Sequence, residues 1–388
     1  MEPKSARLDW LQTLRGVAAL MVVLVHSRFI LQDTPAGKAV ADAVFYPMAM
    51  GVDIFFLISG FLMVLTTSNF DGSRRYACTF VIKRMARIWP VFAIVSLAVV
   101  AIEHKGIHGF RDPAVMGHML EGLLFLPHDP VASPLYFMMF VDVAWTLCFE
   151  FYFYVIFGLS MLLGRYRYWA LAVWFAVSLI GVPMLRGGFT LNLFQPDPLH
   201  MLRYPNLAIS PIVWDFVLGM LAAWIYKSGW AIRSRAVIYL AMGLIVSWMI
   251  VQWGPLHFAN FHGPQGWAAP LAVVFLGIVL LAKLGEVRVP AWSVWLGGIS
   301  YSLYLTHLYV FAYVTKFAAW AHVAPEKSVT FLMVARPFAA IVVAYFVYRF
   351  IEGPTSDWMR ERLMRLFFGT SKRTHGAAPS DPAAASPP

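Results

Sequence analysis

The stretch TLRGVAALMVVLVHSRF, residues 13–29, is apolar enough to enter a membrane, yet it carries Arg15 and His26. A simple anchor needs neither side chain. An ionisable group inside the hydrocarbon layer costs several kcal/mol unless it is paired or hydrated, so each one asks for a function as well as a place in the fold. The two residues are eleven apart. In an α-helix that is about 16.5 Å of rise and a rotation only about 20° from whole turns. Both side chains therefore project along one face, Arg15 near one end of the helix and His26 near the other.

The rest of the chain has the same character. Of 388 residues, 60% are hydrophobic and 13% charged, against about 25% charged in an ordinary soluble domain. Apolar runs of about 20 residues, long enough to cross a hydrocarbon core of about 30 Å, recur from end to end. They lack the polar–apolar alternation of a membrane barrel. The expected fold is an all-α polytopic membrane protein with ten spans, near residues 11–31, 46–66, 80–102, 141–163, 167–185, 207–227, 236–253, 267–284, 296–320 and 329–352. Residues 1–10 form a short N-terminal segment, 11–352 the membrane domain and 353–388 a tail, small, polar and Pro-rich enough from about 369 to be disordered. The first span is expected to be retained, because Arg15 interrupts its apolar core and no clean small-x-small cleavage site follows.

Loop charge sets an expected orientation. With both termini in the cytosol, nine of the 30 Lys and Arg residues fall outside: Arg28, Lys38, Lys105, Arg111, Arg186, Arg203, Lys316, Lys327 and Arg336. The other 21 lie inside, a positive-inside bias. The net charge of +10 is thus membrane-surface charge and no nucleic-acid footprint. Cys78 and Cys148 fall at different depths, which argues against a disulfide.

Further ionisable residues stand inside spans. Asp53 in GVDIFFLISGFLM lies about 10 Å below the outer surface by helical rise; it reads either as a helix-start carboxylate or as a site residue. In the same stretch Ser59 and Gly60 suit close helix packing. Arg84 and Arg87 in KRMARIWP are three apart, on one face of a helix mouth. They serve equally as positive-inside charge and as a guanidinium pair matched to phosphate. Glu150 in WTLCFEFYFYVIF lies near the midplane with no basic neighbour within a turn, so its partner is expected from another helix. In GGISYSLYLTHLYVF, His307 lies near the midplane with Tyr301 and Tyr304 below it, while Tyr309 suits an aromatic belt. Glu352 in FIEGP reads as a solvated or Arg-paired carboxylate. His104, His108, His118 and His128 crowd one outer loop, and only the first two have ligand-like spacing, so no metal site is expected. Arginines at the cytosolic mouth and imidazoles and carboxylates deeper down suit an anionic, phosphate-bearing donor and a deep general base.

These pieces carry a likeness. LDWLQTLRGVAALMVVLVH, GVDIFFLISGFLM, KRMARIWP, WTLCFEFYFY, ISYSLYLTH and IEGP occur in order from residue 8 to about 354. The chain resembles the membrane-bound acyltransferase family 3, particularly its exopolysaccharide O-acetyltransferase branch. The resemblance implies transfer of an acyl group, usually acetyl from acetyl-CoA, to a sugar hydroxyl of an envelope glycan or exopolysaccharide, at a bacterial inner membrane. It implies no permanently bound cofactor. Acyl-CoA, a saccharide or lipid-linked glycan, membrane lipid and a polysaccharide synthesis machinery are the expected partners. By this likeness His26, Glu150 and Asp53 are the expected catalytic residues. Arg15, Arg84, Arg87 and Tyr301 are expected to hold the donor, and His307, Trp145 and Ser59 the acceptor. The span from Arg15 to His26 is comparable to an extended pantetheine arm.

The sequence also departs from the pattern. Phe151 follows Glu150 where many relatives have a second acid, Thr306 precedes His307 where an aromatic is common, and Gly353 stands where a basic residue is frequent. No appended esterase-like domain is expected. Two other classes fit parts of the sequence: a transporter or flippase for a lipid-linked saccharide, and a scaffold subunit of a synthesis complex. Paired broken helices and an internal repeat, which would favour a transporter, are not evident.

Overall fold

The computed structural model describes residues 8–103, 106–126, 139–193, 203–253, 261–323 and 325–369. Every regular element among them is helical. Ten main helices fall on the ten expected segments: α1 Asp9–Ser27, α2 Gly51–Thr66, α3 Arg74–Glu103, α4 Trp145–Met161, α5 Arg167–Ala176, α6 Val213–Lys227, α7 Arg235–Trp253, α8 Ala268–Lys283, α9 Ser300–Trp320 and α10 Pro325–Val347. An eleventh, α11 Gly353–Phe368, occupies the start of the expected tail. Residues 370–388, with the disorder expected there, lie outside the described residues.

Among the described residues, seven helical stretches are long and apolar enough to cross a membrane by themselves. That is fewer than the ten expected, for local reasons. Helix α6 has 15 residues and α8 has 16, which at 1.5 Å each fall short of about 30 Å. Helix α9 is long enough at 21 residues but mixes Ser300, Tyr301, Ser302, Thr306, His307 and Lys316 into its apolar run. A lipid-facing span avoids such residues, whereas a helix packed inside a bundle uses them.

The connections are more ordered than apolar runs suggest. Between α1 and α2 the chain winds through a short helix at Pro35–Val40, capped by Thr34, then a wide turn and a tight turn that deliver Gly51 into α2. After α3 a helix forms at Pro113–Leu123, where the Asp112 side chain accepts the Ala114 N–H at 2.8 Å. Of the loop histidines, His104 and His128 lie outside the described residues, so the His104–His108 spacing does too. Among the described residues no group of three or more His, Cys, Asp or Glu is placed to hold a metal ion. Cys78 is exposed, Cys148 buried, and both are free thiols.

Glycines set the closest helix contacts. Helices α2 and α6 cross where Gly60 meets the Phe216 carbonyl and Gly219 meets the Leu57 carbonyl, each with no room for a β-carbon. Helix α1 is gripped in the same way through Gly16 and Gly297, the latter in the short helix Ala291–Gly298. Around the α2–α6 crossing, the Phe216 ring stacks on Phe153 with centroids 4.4 Å apart and packs at a tilt against Phe56 at 4.6 Å. Such aromatic pairs contribute about 0.5–1.5 kcal/mol beyond their buried area. The result is a tightly fixed α1–α2–α6 unit, and α1 and α2 carry Arg15, His26 and Asp53, three of the ionisable residues singled out in the sequence. The end of the bundle holding Asp9, Thr66 and Arg74 is called the near end below. The end holding Ser27, Gly51 and Trp145 is the far end.

Candidate active site

Two chambers lie along the shared face of α1. The first, at the near end, is narrow, with a volume of about 70 Å3. Arg15, Ser59, Arg84, Arg87, Glu150, Tyr154 and Tyr301 line it. Arg15 is oriented by Gln12, whose Oε1 accepts from its Nη1 at 3.1 Å. Arg84 donates to Thr66 at 3.1 Å and lies over the rings of Phe80 and Tyr154. Among the described residues, none of Arg15, Arg84 and Arg87 is within ion-pair distance of a carboxylate. Glu150 and Glu352 lie further off, where they still interact electrostatically with Arg15. Three guanidinium groups around one narrow space therefore keep their donors available to an anion.

Glu150 finds its partners differently from expectation. One does come from another helix, since the Ser59 hydroxyl donates to its Oε1 at 3.1 Å. The other is Tyr154, one turn along α4 itself. A tyrosine in a run of aromatics gives no sequence signal of pairing. Glu352 is buried rather than solvated and accepts from the Ser302 hydroxyl at 2.5 Å. Tyr301 donates to the Ile88 carbonyl at 2.7 Å, tying α9 to α3 beside the guanidinium groups.

The second chamber, at the far end, is roomier, about 500 Å3. His26, Arg28, Tyr46, Asp142, Trp145, His262 and Trp267 are among the residues lining it. Val52 and Tyr304 line both chambers and form the partition between them. The Tyr304 hydroxyl donates to the Val143 carbonyl at 2.8 Å and bonds the Thr146 hydroxyl at 2.8 Å. The partition is thus hydrogen-bonded to the start of α4.

His26 is held at the rim of the far chamber by contacts that fix its tautomer. His307 Nδ1 lies 2.8 Å from the Tyr304 carbonyl, which only accepts, so that nitrogen carries the proton. His307 Nε2 is then an acceptor, 3.1 Å from His26 Nδ1. His26 Nδ1 also lies 2.8 Å from the Val22 carbonyl. Facing two acceptors, His26 Nδ1 must be the N–H, and in the neutral ring Nε2 keeps its lone pair. That is the state a general base requires.

The expected site residues are thus brought together in part. His26 and Trp145 meet in the far chamber. Arg15, Arg84, Arg87 and Tyr301 meet in the near one. Ser59 and Glu150 also belong to the near chamber, away from the side expected for an acceptor group or a catalytic base, because α2 and α4 turn these positions toward the guanidinium groups. His307 is fully buried behind His26 and lines neither chamber. Asp53 likewise lines neither chamber; it accepts from His262 Nδ1 at 2.7 Å and from the Gly263 N–H at 2.8 Å. Each instead contacts a residue that does line the far chamber, His307 touching His26 and Asp53 touching His262. Of the loop arginines assigned to the outside, Arg203 has no described side chain, and Arg111 and Arg186 are exposed.

Two residues of this centre were missed from sequence. His262, wedged edge-on between Trp145 and Trp267, is a lone histidine in a loop and gave no signal. Asp215 on α6 did give one, as an acid inside an apolar run. It is fully buried against Asp53, and its oxygens receive no hydrogen bond among the described residues. Asp53 thus organises this side of the chamber. Changing Asp53→Ala is expected to cost about 1–3 kcal/mol through the donors left unsatisfied, read as a lower melting temperature in detergent. Asp215→Asn, whose amide supplies a donor to Asp53, is expected to melt no lower than wild type.

Comparison with known proteins settles the class. The Acyl_transf_3 model, described as an acyltransferase domain, matches residues 8–347. The chain belongs to this acyltransferase family. An acyltransferase named MdmB from Streptomyces mycarofaciens is 27% identical over 91% of this chain and 93% of its own length. The exopolysaccharide production protein ExoZ of Rhizobium meliloti is 28% identical over 79% of this chain and 89% of its own. Nodulation protein 10 of Rhizobium leguminosarum bv. viciae is 25% identical over 91% and 94%. No solved structure matches. The protein is a multi-pass membrane acyltransferase, and its two chambers are read in that light.

Proposed function

We propose that the protein moves an acyl group, acetyl in the simplest case, from cytosolic acyl-CoA to a hydroxyl of an envelope or exopolysaccharide sugar. The observation that carries this reading is the pairing, on one face of α1, of the unpaired guanidinium chamber with the imidazole at the rim of the far chamber. The near end faces the cytosol in this proposal, in line with the positive-inside bias of the loops, and the membrane is a bacterial inner membrane. Arg15, Arg84 and Arg87 take the coenzyme's phosphate-bearing portion. The pantetheine arm runs along α1 past Val52 and Tyr304, which brings the thioester to His26. The acceptor saccharide enters the far chamber, beside Trp145, Trp267 and His262.

In the chemical step His26 Nε2 takes the proton of the acceptor hydroxyl as its oxygen attacks the thioester carbonyl. The C–S bond breaks, the thiolate leaves, and the histidine returns its proton to it. His307 and the Val22 carbonyl hold the ring through Nδ1. If His26 instead takes the acyl group first, the same lone pair is the nucleophile and the kinetics become ping-pong.

The test is release of coenzyme from radiolabelled acetyl-CoA by the purified full chain, with and without a panel of glycan acceptors. Acceptor-dependent release supports the reading. No release with any acceptor, in protein shown to be folded, overturns it in favour of a transporter for a lipid-linked saccharide. Arg15→Ala is expected to raise the KM for acetyl-CoA about tenfold or more, because a charged hydrogen bond contributes about 1.5–3 kcal/mol.

A further inference from the structure

The far chamber holds a second imidazole, which the chemical step above does not use. His262 stands in the loop that leads into α8. Asp53, fully buried, accepts from its Nδ1 at 2.7 Å and from the Gly263 N–H at 2.8 Å. The buried indoles of Trp145 and Trp267 meet the ring edge-on, with centroids 5.8 and 4.9 Å away. The imidazole is thus fixed in place and in tautomer: Nδ1 carries the proton, and in the neutral ring Nε2 keeps its lone pair. His262 lines the chamber, and its side chain is 16% exposed. The Nδ1 edge is turned to a buried carboxylate, so the exposed part is the opposite edge. That edge carries Nε2, which has no hydrogen-bond partner among the described residues.

A structural tie accounts for the bond to Asp53, but not for the edge that opens on the chamber. Nor is the tie needed to close the loop. Its own main chain does that, the Trp267 N–H donating to the Phe261 carbonyl and the Ala268 N–H to the Gly263 carbonyl, each at 3.0 Å. We propose that His262 binds and orients the acceptor: its Nε2 accepts from a hydroxyl next to the one acylated, on an uncharged sugar ring. The inference rests on the acyl-transfer reading above and deepens it by naming a residue and a class of acceptor. His26 then takes the proton of the reacting hydroxyl, His262 holds the ring, and Asp53 acts through His262 as a positioning residue. The rest of the lining suits an uncharged ring. Asp142 borders the chamber, and its side chain makes no hydrogen bond or ion pair among the described residues. Arg28 already donates to the Val25 carbonyl at 3.2 Å and lies over the rings of Phe29 and Tyr46. A uronate would therefore meet an uncompensated carboxylate, whereas sugar hydroxyls can donate to it.

The experiment measures coenzyme release from acetyl-CoA by the purified full chain. The acceptors are methyl glycosides of glucose, galactose and mannose, each beside its uronate, and de-O-acetylated exopolysaccharide oligosaccharides. Wild type is compared with His262→Asn and His262→Gln. Asparagine places an amide N–H where Nδ1 lies, which keeps the bond to Asp53 and leaves nothing in place of Nε2. Glutamine places an amide oxygen where Nε2 lies and gives up the bond to Asp53. His262→Asn is expected to melt close to wild type yet to raise the KM for the acceptor about tenfold, the size of one lost hydrogen bond. Its KM for acetyl-CoA and its kcat at saturating acceptor are expected to stay unchanged. His262→Gln is expected to melt lower and to recover part of the acceptor KM. Each uronate is expected to be used about tenfold less well than its neutral partner. His262→Asn that matches wild type in acceptor KM leaves His262 a purely structural role and overturns the inference. A fall in kcat with the acceptor KM unaltered makes it a second base and overturns it too. Uronates used as well as neutral sugars overturn the uncharged class. Wild type that transfers to no sugar overturns the acyl-transfer reading, and this inference with it.

Discussion

Substituting His26→Ala is expected to lower acyl transfer by about 10²- to 10⁴-fold, the contribution typical of a positioned general base. Donor affinity is expected to stay unchanged. The reason for the split lies in the two chambers: the guanidinium groups line the near one, while His26 stands at the rim of the far one. A change confined to kcat is the signature of an interaction made in the transition state rather than in binding. Measuring coenzyme release at several acetyl-CoA concentrations separates the two parameters. A rise in KM with kcat unaltered would move His26 out of the chemistry and into binding. His307→Ala is expected to have a smaller effect, about tenfold, because the Val22 carbonyl still holds His26 Nδ1 at 2.8 Å. His307→Gln, whose side chain can still accept from that N–H, should recover part of the loss. A purely structural role for His307 would lower the melting temperature of both variants and leave the turnover per folded molecule untouched.

The contrast between His26 and Asp53 shows what was legible in the sequence. Spans were visible because hydropathy is a property of consecutive residues, and all ten expected segments hold a helix. The inner character of α6 and α8 was less visible, since it depends on length measured against the bilayer. Arg15 and His26 were legible as a pair because both lie on one helix, whose geometry fixes their relation. The same holds for Arg84 and Arg87. Residues whose meaning comes from another helix were not legible. Asp53 looked like a chamber residue until His262, 209 positions away in the chain, was found in front of it. His307 looked like an acceptor contact until it was found behind His26, 281 positions away. Glu150 announced itself by its depth, yet its side of the partition depends on how α4 is rotated, and an apolar helix with aromatics all round has no periodicity to reveal that. Asp215 obeys the same rule that picked out Asp53 and was there to be read.

The crossing of α2 and α6 is where substitution should do most damage to the fold. A β-carbon at Gly219 would lie 2.0 Å from the Leu57 carbonyl oxygen, and one at Gly60 would lie 2.0 Å from the Phe216 carbonyl oxygen. Neither obstacle is a flexible side chain. Each is main chain inside a regular helix, so the helices must separate by an ångström or more. Overpacking of this kind costs about 1–3 kcal/mol even where a core relaxes. Here relaxation also separates Phe56 and Phe153 from Phe216 and pulls α2, with Val52, Asp53 and Ser59, away from its neighbours. Gly219→Leu is therefore expected to abolish recovery of monodisperse protein in detergent, and Gly219→Ala to lower its melting temperature markedly. Gly243→Ala on α7 supplies the control. Its β-carbon meets nothing within 4 Å, and replacing a helical glycine by alanine there should stabilise by about 0.5–1 kcal/mol. If Gly219→Ala melts like wild type, the helices do not cross as closely as described, and the partition that α2 supports through Val52 loses its fixed position. If both glycine variants behave as expected, the close approach of α2 to α6 holds Asp53 in front of Asp215. The placement of Asp53, and of His262 that it holds, then depends on the two glycines that admit the helix crossing.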